Sequence, residues 1–214
     1  MQQWVVDAIL FDLDGTLIDS TPSVERSWRS LGEKVGIPYE EYAGMYHGVP
    51  AKQTLRRLLP DISAAELDDL AEWLVEVEAT DTEDIIVLPG TETVLDLLPV
   101  DRWAIATSGT ERLAKARIEA AGLKLPRTLV TADDVTTGKP DPAPYLLAAE
   151  RLGFHPSRCL VVEDAPAGVT SGLAAGCPVL GLRTTHDDLT VPTVADLSEA
   201  DISADRNGII VTIG

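Results

Sequence analysis

The feature that most constrains the fold is a regular alternation of short apolar stretches with amphipathic helical patterns, which begins near residue 85. The apolar stretches predict strands at residues 103–107, 129–131, 160–163 and 178–182. The amphipathic patterns predict helices at residues 91–98, 110–121, 142–152 and 166–175. Such alternation is typical of a parallel sheet with right-handed crossovers and helices on both faces. We therefore predict an α/β fold with a Rossmann-like, three-layer core.

A helical block interrupts this core near its start. The apolar run at residues 5–11 predicts the first strand, whereas residues 20–85 carry helical patterns and no convincing strand. We therefore predict a core domain from residues 1–19 and 86–214, with residues 20–85 inserted as a helical cap. A cap hinged at this point could close over the preceding loop and exclude water.

Three local signals refine this prediction. Thr21 followed by Pro22 is typical of an N-cap and the first helical position. Ser63, three residues before Glu66, predicts a capping box that opens a longer helix. Asn207-Gly208 before an apolar run predicts a hairpin added at the edge of the sheet.

The first strand ends in a pair of carboxylates, Asp12 and Asp14, followed by Gly15. If both side chains project past the carboxyl end of the strand, they lie in the crevice where open α/β sheets bind ligands. Gly15 allows a sharp turn and a close approach to a bound group. Because two adjacent acids repel each other unless a cation or proton neutralises them, the pair favours a Mg²⁺ site. A solvated acidic turn is the alternative reading of this pair taken alone.

Three further strand ends carry polar residues. Thr107 and Ser108 lead directly into a helix, where hydroxyl and N–H groups can bind an anion or simply cap the helix. Lys139 lies between Gly138 and Pro140 and could hold a phosphate oxygen together with a carboxylate; otherwise it is a solvated loop lysine. Glu163 and Asp164 end another strand and offer hard oxygen ligands for Mg²⁺.

Composition narrows the class of partners. The net charge of −18 argues against nucleic acid and anionic membranes, but a local metal ion and lysine still permit a phosphorylated substrate. The two cysteines, Cys159 and Cys177, lack metal-ligand spacing and are expected in the core. No run reaches the roughly 18 apolar residues of a membrane span, and the N-terminal run is too short for a signal peptide. We expect a cytoplasmic protein, monomeric, that acts on a small molecule.

Taken together, these motifs resemble those of the haloacid dehalogenase superfamily, on its phosphatase side. Asp12-Leu-Asp14-Gly-Thr resembles the first family motif, Thr107 or Ser108 the second, Lys139 the third and Glu163-Asp164 the fourth. The segments at 106–110, 138–142 and 163–168 are similar to those of sugar and polyol phosphatases, including enzymes acting on 2-deoxyglucose-6-phosphate and glycerol-3-phosphate. The pair His47-Gly48 resembles one that faces the substrate in that group.

The resemblance implies a Mg²⁺-dependent phosphatase that works through an aspartyl phosphate. Asp12 is the implied nucleophile, and Asp14 the implied proton donor and acceptor. The implied metal ligands are Asp12, the backbone carbonyl of Asp14, and Asp164. Glu163 is implied to be either a further ligand or a residue that contacts the ligands without binding the metal itself. Thr107, Ser108 and Lys139 are implied to hold the phosphate, and His47 and Gly48 to contact the substrate.

Two other functions remain as alternatives. A β-phosphoglucomutase-like mutase shares nearly all of these motifs, but such mutases carry a histidine twelve residues after the nucleophile, where this chain has Val24. A receiver-like phosphoacceptor or binding module needs neither the helical insertion nor the second aspartate, Asp14. Haloacid dehalogenation itself is disfavoured because that branch lacks the acid at the position of Asp14. A phosphatase of small sugar or polyol phosphates is the favoured prediction.

Overall fold

The computed structural model describes residues 1–46, 49, 51–205 and 208–214. Its helices are α1 (Thr21–Val35), α2 (Ala51–Leu58), α3 (Ala64–Thr80), α4 (Thr91–Leu97), α5 (Glu111–Ala120), α6 (Ala143–Leu152) and α7 (Pro166–Ala174). Its strands are β1 (Gln2–Val6), β2 (Ala8–Phe11), β3 (Ile18–Asp19), β4 (Ile86–Val87), β5 (Trp103–Ala106), β6 (Leu129–Val130), β7 (Cys159–Glu163), β8 (Val179–Leu182), β9 (Thr193–Val194), β10 (Asp201–Asp205) and β11 (Gly208–Ile213).

The core is a six-stranded parallel sheet in the order β6-β5-β2-β7-β8-β9. Strand β2 lies inside the sheet between β5 and β7, and all four of its residues are buried. Alternate residues point to opposite faces: Ile9 and Phe11 belong to the apolar cluster that includes α4 and α5, and Ala8 and Leu10 to the one that includes α6 and α7. A parallel sheet buried on both faces confirms the predicted three-layer α/β core.

The opening apolar run forms two strands, so the single strand predicted at residues 5–11 is wrong. Strand β1 pairs antiparallel with β11, which pairs with β10 in a separate three-stranded sheet. The chain changes sheets at Asp7, whose carboxylate accepts hydrogen bonds from Arg158 at 2.8 and 3.0 Å. The hairpin predicted in the tail forms in this second sheet and not at the edge of the parallel one; Asn207 lies outside the described residues.

The predicted cap contains α1, α2 and α3, which pack around a cluster of their own that includes Trp28, Leu55 and Leu74. The two connections to the core lie side by side, because β3 pairs antiparallel with β4. The capping box at Ser63 is confirmed: its hydroxyl accepts the N–H of Glu66, whose carboxylate accepts the N–H of Ser63. The boundaries at residues 20 and 85 stay a prediction.

Helix α1 begins one residue earlier than predicted. Ser20 occupies the N-cap position and Thr21 is the first helical residue. The N–H of Thr21 donates to the carboxylate of Asp19 at 2.9 Å. The hydroxyl of Ser20 is therefore available for a partner outside the helix. None of the helices in the described part of the chain is long and apolar enough to cross a membrane.

Candidate active site

The carboxyl ends of β5, β2 and β7 meet at one edge of the parallel sheet. Thr107 follows β5, Asp12 follows β2 and Glu163 ends β7. The N–H of Asp12 donates to the carbonyl of Val162 at 3.0 Å, which continues the pairing of β2 with β7 past the end of the strand. Three sequence-distant motifs thus come together because neighbouring parallel strands end at the same edge.

Lys139 connects two of these strand ends. Its Nζ lies 2.5 Å from Oδ1 of Asp12 and 2.7 Å from Oε1 of Glu163. The lysine is buried, which by itself lowers its pKa, but the attraction of the two carboxylates outweighs burial and raises the pKa of Lys139 above its usual value. The ammonium group therefore stays charged. Lys139 is not the solvated loop residue of the alternative reading.

Glu163 accepts four hydrogen bonds. Its Oε1 receives Lys139 and the hydroxyl of Tyr145 at 2.8 Å, and its Oε2 receives the N–H groups of Asp164 and Ala165 at 3.0 and 3.1 Å. Burial raises the pKa of Tyr145 well above its ordinary value, so its hydroxyl stays protonated and donates. A Cβ at Gly168 would overlap the Glu163 carboxylate, so glycine at this position leaves room for Glu163 in its present orientation. These contacts fix Glu163 in one orientation.

Asp164 is held against the turn that follows Asp12. Its Oδ1 accepts the hydroxyl of Thr16 at 3.2 Å, and Thr185 supplies a further side-chain hydrogen bond. Gly15 has a φ of +84°, and a Cβ there would overlap Oδ2 of Asp164. Glycine is therefore required twice at this position, for its left-handed backbone and for the close approach of Asp164.

Three carboxylates crowd this edge. Oxygen atoms of Asp12, Glu163 and Asp164 lie within 4.8 Å of one another. Burial is the main cause that raises the pKa values of Asp12 and Asp164, and repulsion from Glu163 adds to it; the pKa of Asp164 rises to about 7. Three carboxylates and the Lys139 ammonium leave an excess of two negative charges when all are ionised. Hard oxygen donors with this charge fit a divalent metal ion.

Asp14 has other partners than these three carboxylates, and they lie toward the predicted cap. Its Oδ1 accepts the hydroxyl of Ser20 at 2.7 Å, and its Oδ2 lies 2.9 Å from NH1 of Arg117. The other terminal nitrogen of Arg117 lies 3.1 Å from Oε2 of Glu78 on α3. The two aspartates of the first motif thus have different surroundings: Asp12 lies inside the core, and Asp14 lies where the core meets the helices of the predicted cap.

Thr107 and Ser108 lie between the end of β5 and the start of α5. Thr107 is buried and its hydroxyl accepts the N–H of Gly109 at 3.1 Å, whereas Ser108 is exposed. Thr110 is the N-cap of α5, since its hydroxyl accepts the N–H of Leu113 at 3.3 Å. Capping is thus the task of Thr110, which leaves the hydroxyl of Ser108 exposed at this edge of the sheet.

The remaining predicted residues, His47 and Gly48, lie outside the described residues.

Sequence reasoning missed the residues that support the carboxylates. Arg117 lies on the apolar face of α5, and Glu78 lies on the apolar face of α3 one turn after Leu74. A charged residue on the apolar face of each of two helices could have predicted a buried ion pair, because buried charges need partners. Tyr145 also lies on an apolar face of its helix, but a buried aromatic residue there is ordinary core composition and carried no signal.

The site and the fold together define a hydrolase family. The family model for haloacid dehalogenase-like hydrolases matches residues 6–176, and the chain belongs to this family. Members of this family generally use a divalent metal ion, in keeping with the acidic cluster. The chain is a phosphoric monoester hydrolase of this family, as its curated relatives are named phosphatases.

Two named relatives and one solved structure illustrate what the chain is similar to. The chain is 47% identical to hexitol phosphatase A of Escherichia coli over 180 residues, which cover 83% of each chain. It is 37% identical to glycerol-1-phosphate phosphohydrolase 2 of Saccharomyces cerevisiae, over 85% of this chain and 76% of that one. The β-phosphoglucomutase of Clostridium difficile superposes with a TM-score of 0.76 over 90% of this chain and 92% of that one, at 24% identity. That last likeness shows the fold alone.

Proposed function

We propose that this protein is a Mg²⁺-dependent phosphatase that hydrolyses a small sugar or polyol phosphate through an aspartyl-phosphate intermediate. The observation that carries this proposal is the buried contact between Lys139 and Asp12 beside Glu163 and Asp164. A carboxylate held by a lysine at the carboxyl ends of parallel strands is placed to attack a phosphoryl group. The lysine also neutralises negative charge that develops on the phosphoryl oxygens. The named relatives support the substrate class.

Asp12 is proposed as the nucleophile. Lys139 holds Oδ1 of Asp12, so the other oxygen can be directed at phosphorus. Attack forms a bond between Asp12 and phosphorus while the bond from phosphorus to the ester oxygen breaks. One difficult hydrolysis thereby becomes two easier displacements.

Asp14 is proposed as the proton donor and acceptor. In the first displacement its carboxyl group gives a proton to the departing alkoxide oxygen. In the second it takes a proton from water, whose oxygen attacks phosphorus as the bond to Asp12 breaks. Inorganic phosphate then leaves, Asp12 is regenerated, and Asp14 is protonated again.

The proposed metal site uses Asp12, Asp164 and the backbone carbonyl of Asp14. We assign Glu163 as an orienting residue and not a ligand, because its two oxygens already accept four hydrogen bonds. A bound Mg²⁺ supplies positive charge that balances the carboxylates and the phosphate oxygens. Thr107, Ser108 and Lys139 are proposed to hold those phosphate oxygens at the end of β5 and beside Asp12.

Residues 20–85 are proposed as the cap that selects the substrate, with His47 and Gly48 as contacts to the substrate. The core then comprises residues 1–19 and 86–214. We propose a cytoplasmic monomer, which is in keeping with the charge of −18 and the two free, buried cysteines.

The test is a phosphate-release screen over hexitol, hexose, pentose and glycerol phosphates with Mg²⁺. Asp12→Asn should abolish release, whereas Asp101→Asn, on an exposed turn, should leave it intact. Retained turnover in Asp12→Asn would refute the nucleophile. Interconversion of glucose 1- and 6-phosphate without net phosphate release would instead identify a mutase; Val24, at the position where the mutases carry histidine, packs against the apolar cluster of the cap.

A further inference from the structure

One guanidinium group joins the two parts of the molecule at Asp14. Arg117 projects from α5 of the core, and its terminal nitrogens lie 2.9 Å from Asp14 and 3.1 Å from Glu78 of the cap helix α3. The side chains of Arg117 and Glu78 are only 6% and 11% exposed. The first motif is therefore linked to the cap through one buried side chain.

Burying the charges of Arg117 and Glu78 costs desolvation free energy, which attachment of the cap alone would not require. The Arg117 guanidinium and the Glu78 carboxylate are removed from water, while Asp14 stays 28% exposed. A buried ion pair of this kind is often no more stabilising than apolar residues of similar volume. The Nε of Arg117 is also buried and, within the described part of the chain, has no hydrogen-bond partner. Attachment alone does not account for a charge kept at such a cost.

The same two helices already share a simpler ion pair. Arg112 of α5 contacts Glu76 of α3 at 2.5 Å, with both side chains at least half exposed. That pair joins core to cap without touching Asp14. What distinguishes Arg117 is the contact with the first motif.

We propose that Arg117 is a positioning residue: it sets the orientation of the Asp14 carboxyl group, and Glu78 makes that orientation depend on the position of the cap. Arg117 and Ser20 each hold one oxygen of Asp14, and both lie where the cap meets the core. A displacement of α3 moves Glu78, and the planar fork of Arg117 transmits this to Asp14. Proton transfer then occurs efficiently only when the cap is docked.

This inference rests on the proposed role of Asp14 as proton donor, and leaving groups of different basicity test both. A sugar or polyol alkoxide needs a proton to leave, whereas p-nitrophenolate leaves readily without one. Arg117→Met should lower kcat/KM for the alkyl ester that the wild type hydrolyses by about 10²-fold, the scale of general acid catalysis. The fall in kcat/KM for p-nitrophenyl phosphate should be at least tenfold smaller than the fall for the alkyl ester. Arg112→Met is the matched control and should change neither value more than about threefold, the scale of an exposed ion pair.

A second variant controls for misfolding, because Arg117→Met leaves the buried Glu78 without a positively charged partner. The double variant Arg117→Met/Glu78→Met removes both charges and should fold, as circular dichroism would show, with the same dependence on the leaving group. Arg117→Lys should recover only part of the alkyl-ester rate, since one ammonium group lacks the fork that reaches both carboxylates.

Asp14→Asn separates the two hypotheses. It should show the leaving-group dependence in its strongest form. If Asp14→Asn shows it and neither Arg117 variant does, the positioning role is wrong while the proposed mechanism stands. If Asp14→Asn lowers kcat/KM, which reports the first displacement, equally for both esters, the acid role of Asp14 fails, and the role of Arg117 fails with it. Equal losses with both esters, or a gain in rate, in the Arg117 variants would likewise overturn the inference.

Discussion

Replacing Gly168 by alanine puts a methyl group into the space that the carboxylate of Glu163 occupies. Because Gly168 lies in the first turn of α7, its backbone cannot move without the helix. The side chain of Glu163 must therefore shift, and its Oε1 loses the hydrogen bonds from Lys139 and Tyr145. The perturbation reaches Lys139 and the nucleophile without changing either residue.

The magnitude follows from these contacts. Two hydrogen bonds to a charged group contribute about 1.5 to 3 kcal/mol each, so their loss costs about 3 to 6 kcal/mol. Alanine in place of a helical glycine returns about 1 kcal/mol. We expect the free energy of unfolding to fall by about 2 to 5 kcal/mol. At about 3 kcal/mol, the melting temperature of a chain of this size falls by roughly 6 to 12 °C.

Urea unfolding followed by circular dichroism measures this change, with phosphate release as the second readout. Gly138→Ala is the matched control for stability, because no described heavy atom lies within 4 Å of the Cβ it would add and its φ is not positive. It should change stability by less than about 0.5 kcal/mol. Turnover of Gly168→Ala should fall steeply, since Lys139 loses one of its two carboxylates. An unfolding free energy equal to or above that of the wild type would refute the reasoning.

Two other expectations concern the same carboxylates. Tyr145→Phe removes one donor to Glu163 and should cost about 1.5 to 3 kcal/mol of stability in urea unfolding; an unchanged midpoint would show that the hydroxyl is not needed. The pKa of Asp164 is raised to about 7, so the metal-free native state binds more protons than the unfolded chain between about pH 4 and pH 7. In the presence of EDTA, stability should therefore fall as pH rises through this range, whereas excess Mg²⁺ should protect most at the upper end. Thermal melts across this range, with and without metal, check both. Carboxylates with a lowered pKa, such as Asp81, act in the opposite direction only below about pH 5. Stability in EDTA that rises with pH between about pH 5 and pH 7 would therefore contradict the raised pKa of Asp164.

The fold was predictable from the sequence because its signals are local. The alternation of strand and helix patterns after residue 85 predicted the parallel sheet, and the helical patterns at residues 20–85 predicted the helices α1, α2 and α3. The error at the first strand has a physical reason: the end of β1, Val5 and Val6, continues the apolar, extended pattern of β2, and only the pairing of β1 with β11 separates the two strands at Asp7. Pairing between distant strands leaves no trace in a short window of sequence.

The residues of the candidate site also fall into those that the sequence predicted and those that only the structure revealed. Asp12, Lys139, Glu163 and Asp164 were identified from motifs, because residue type and position after a strand are written in the sequence. The structure added the partners that fix them, among which Tyr145 contacts Glu163 directly. No local pattern distinguishes such a tyrosine from one that only fills the core.

The sequence by itself determined which chemical groups stand at the edge of the sheet, since strand ends and their carboxylates follow from local patterns. Only the tertiary structure decided how the two aspartates of the first motif differ. Asp12 contacts Lys139 inside the core, and Asp14 contacts Arg117 where the core meets the helices of the predicted cap. The reason is that a charged side chain is oriented by its nearest opposite charge, and those charges lie more than a hundred residues away along the chain.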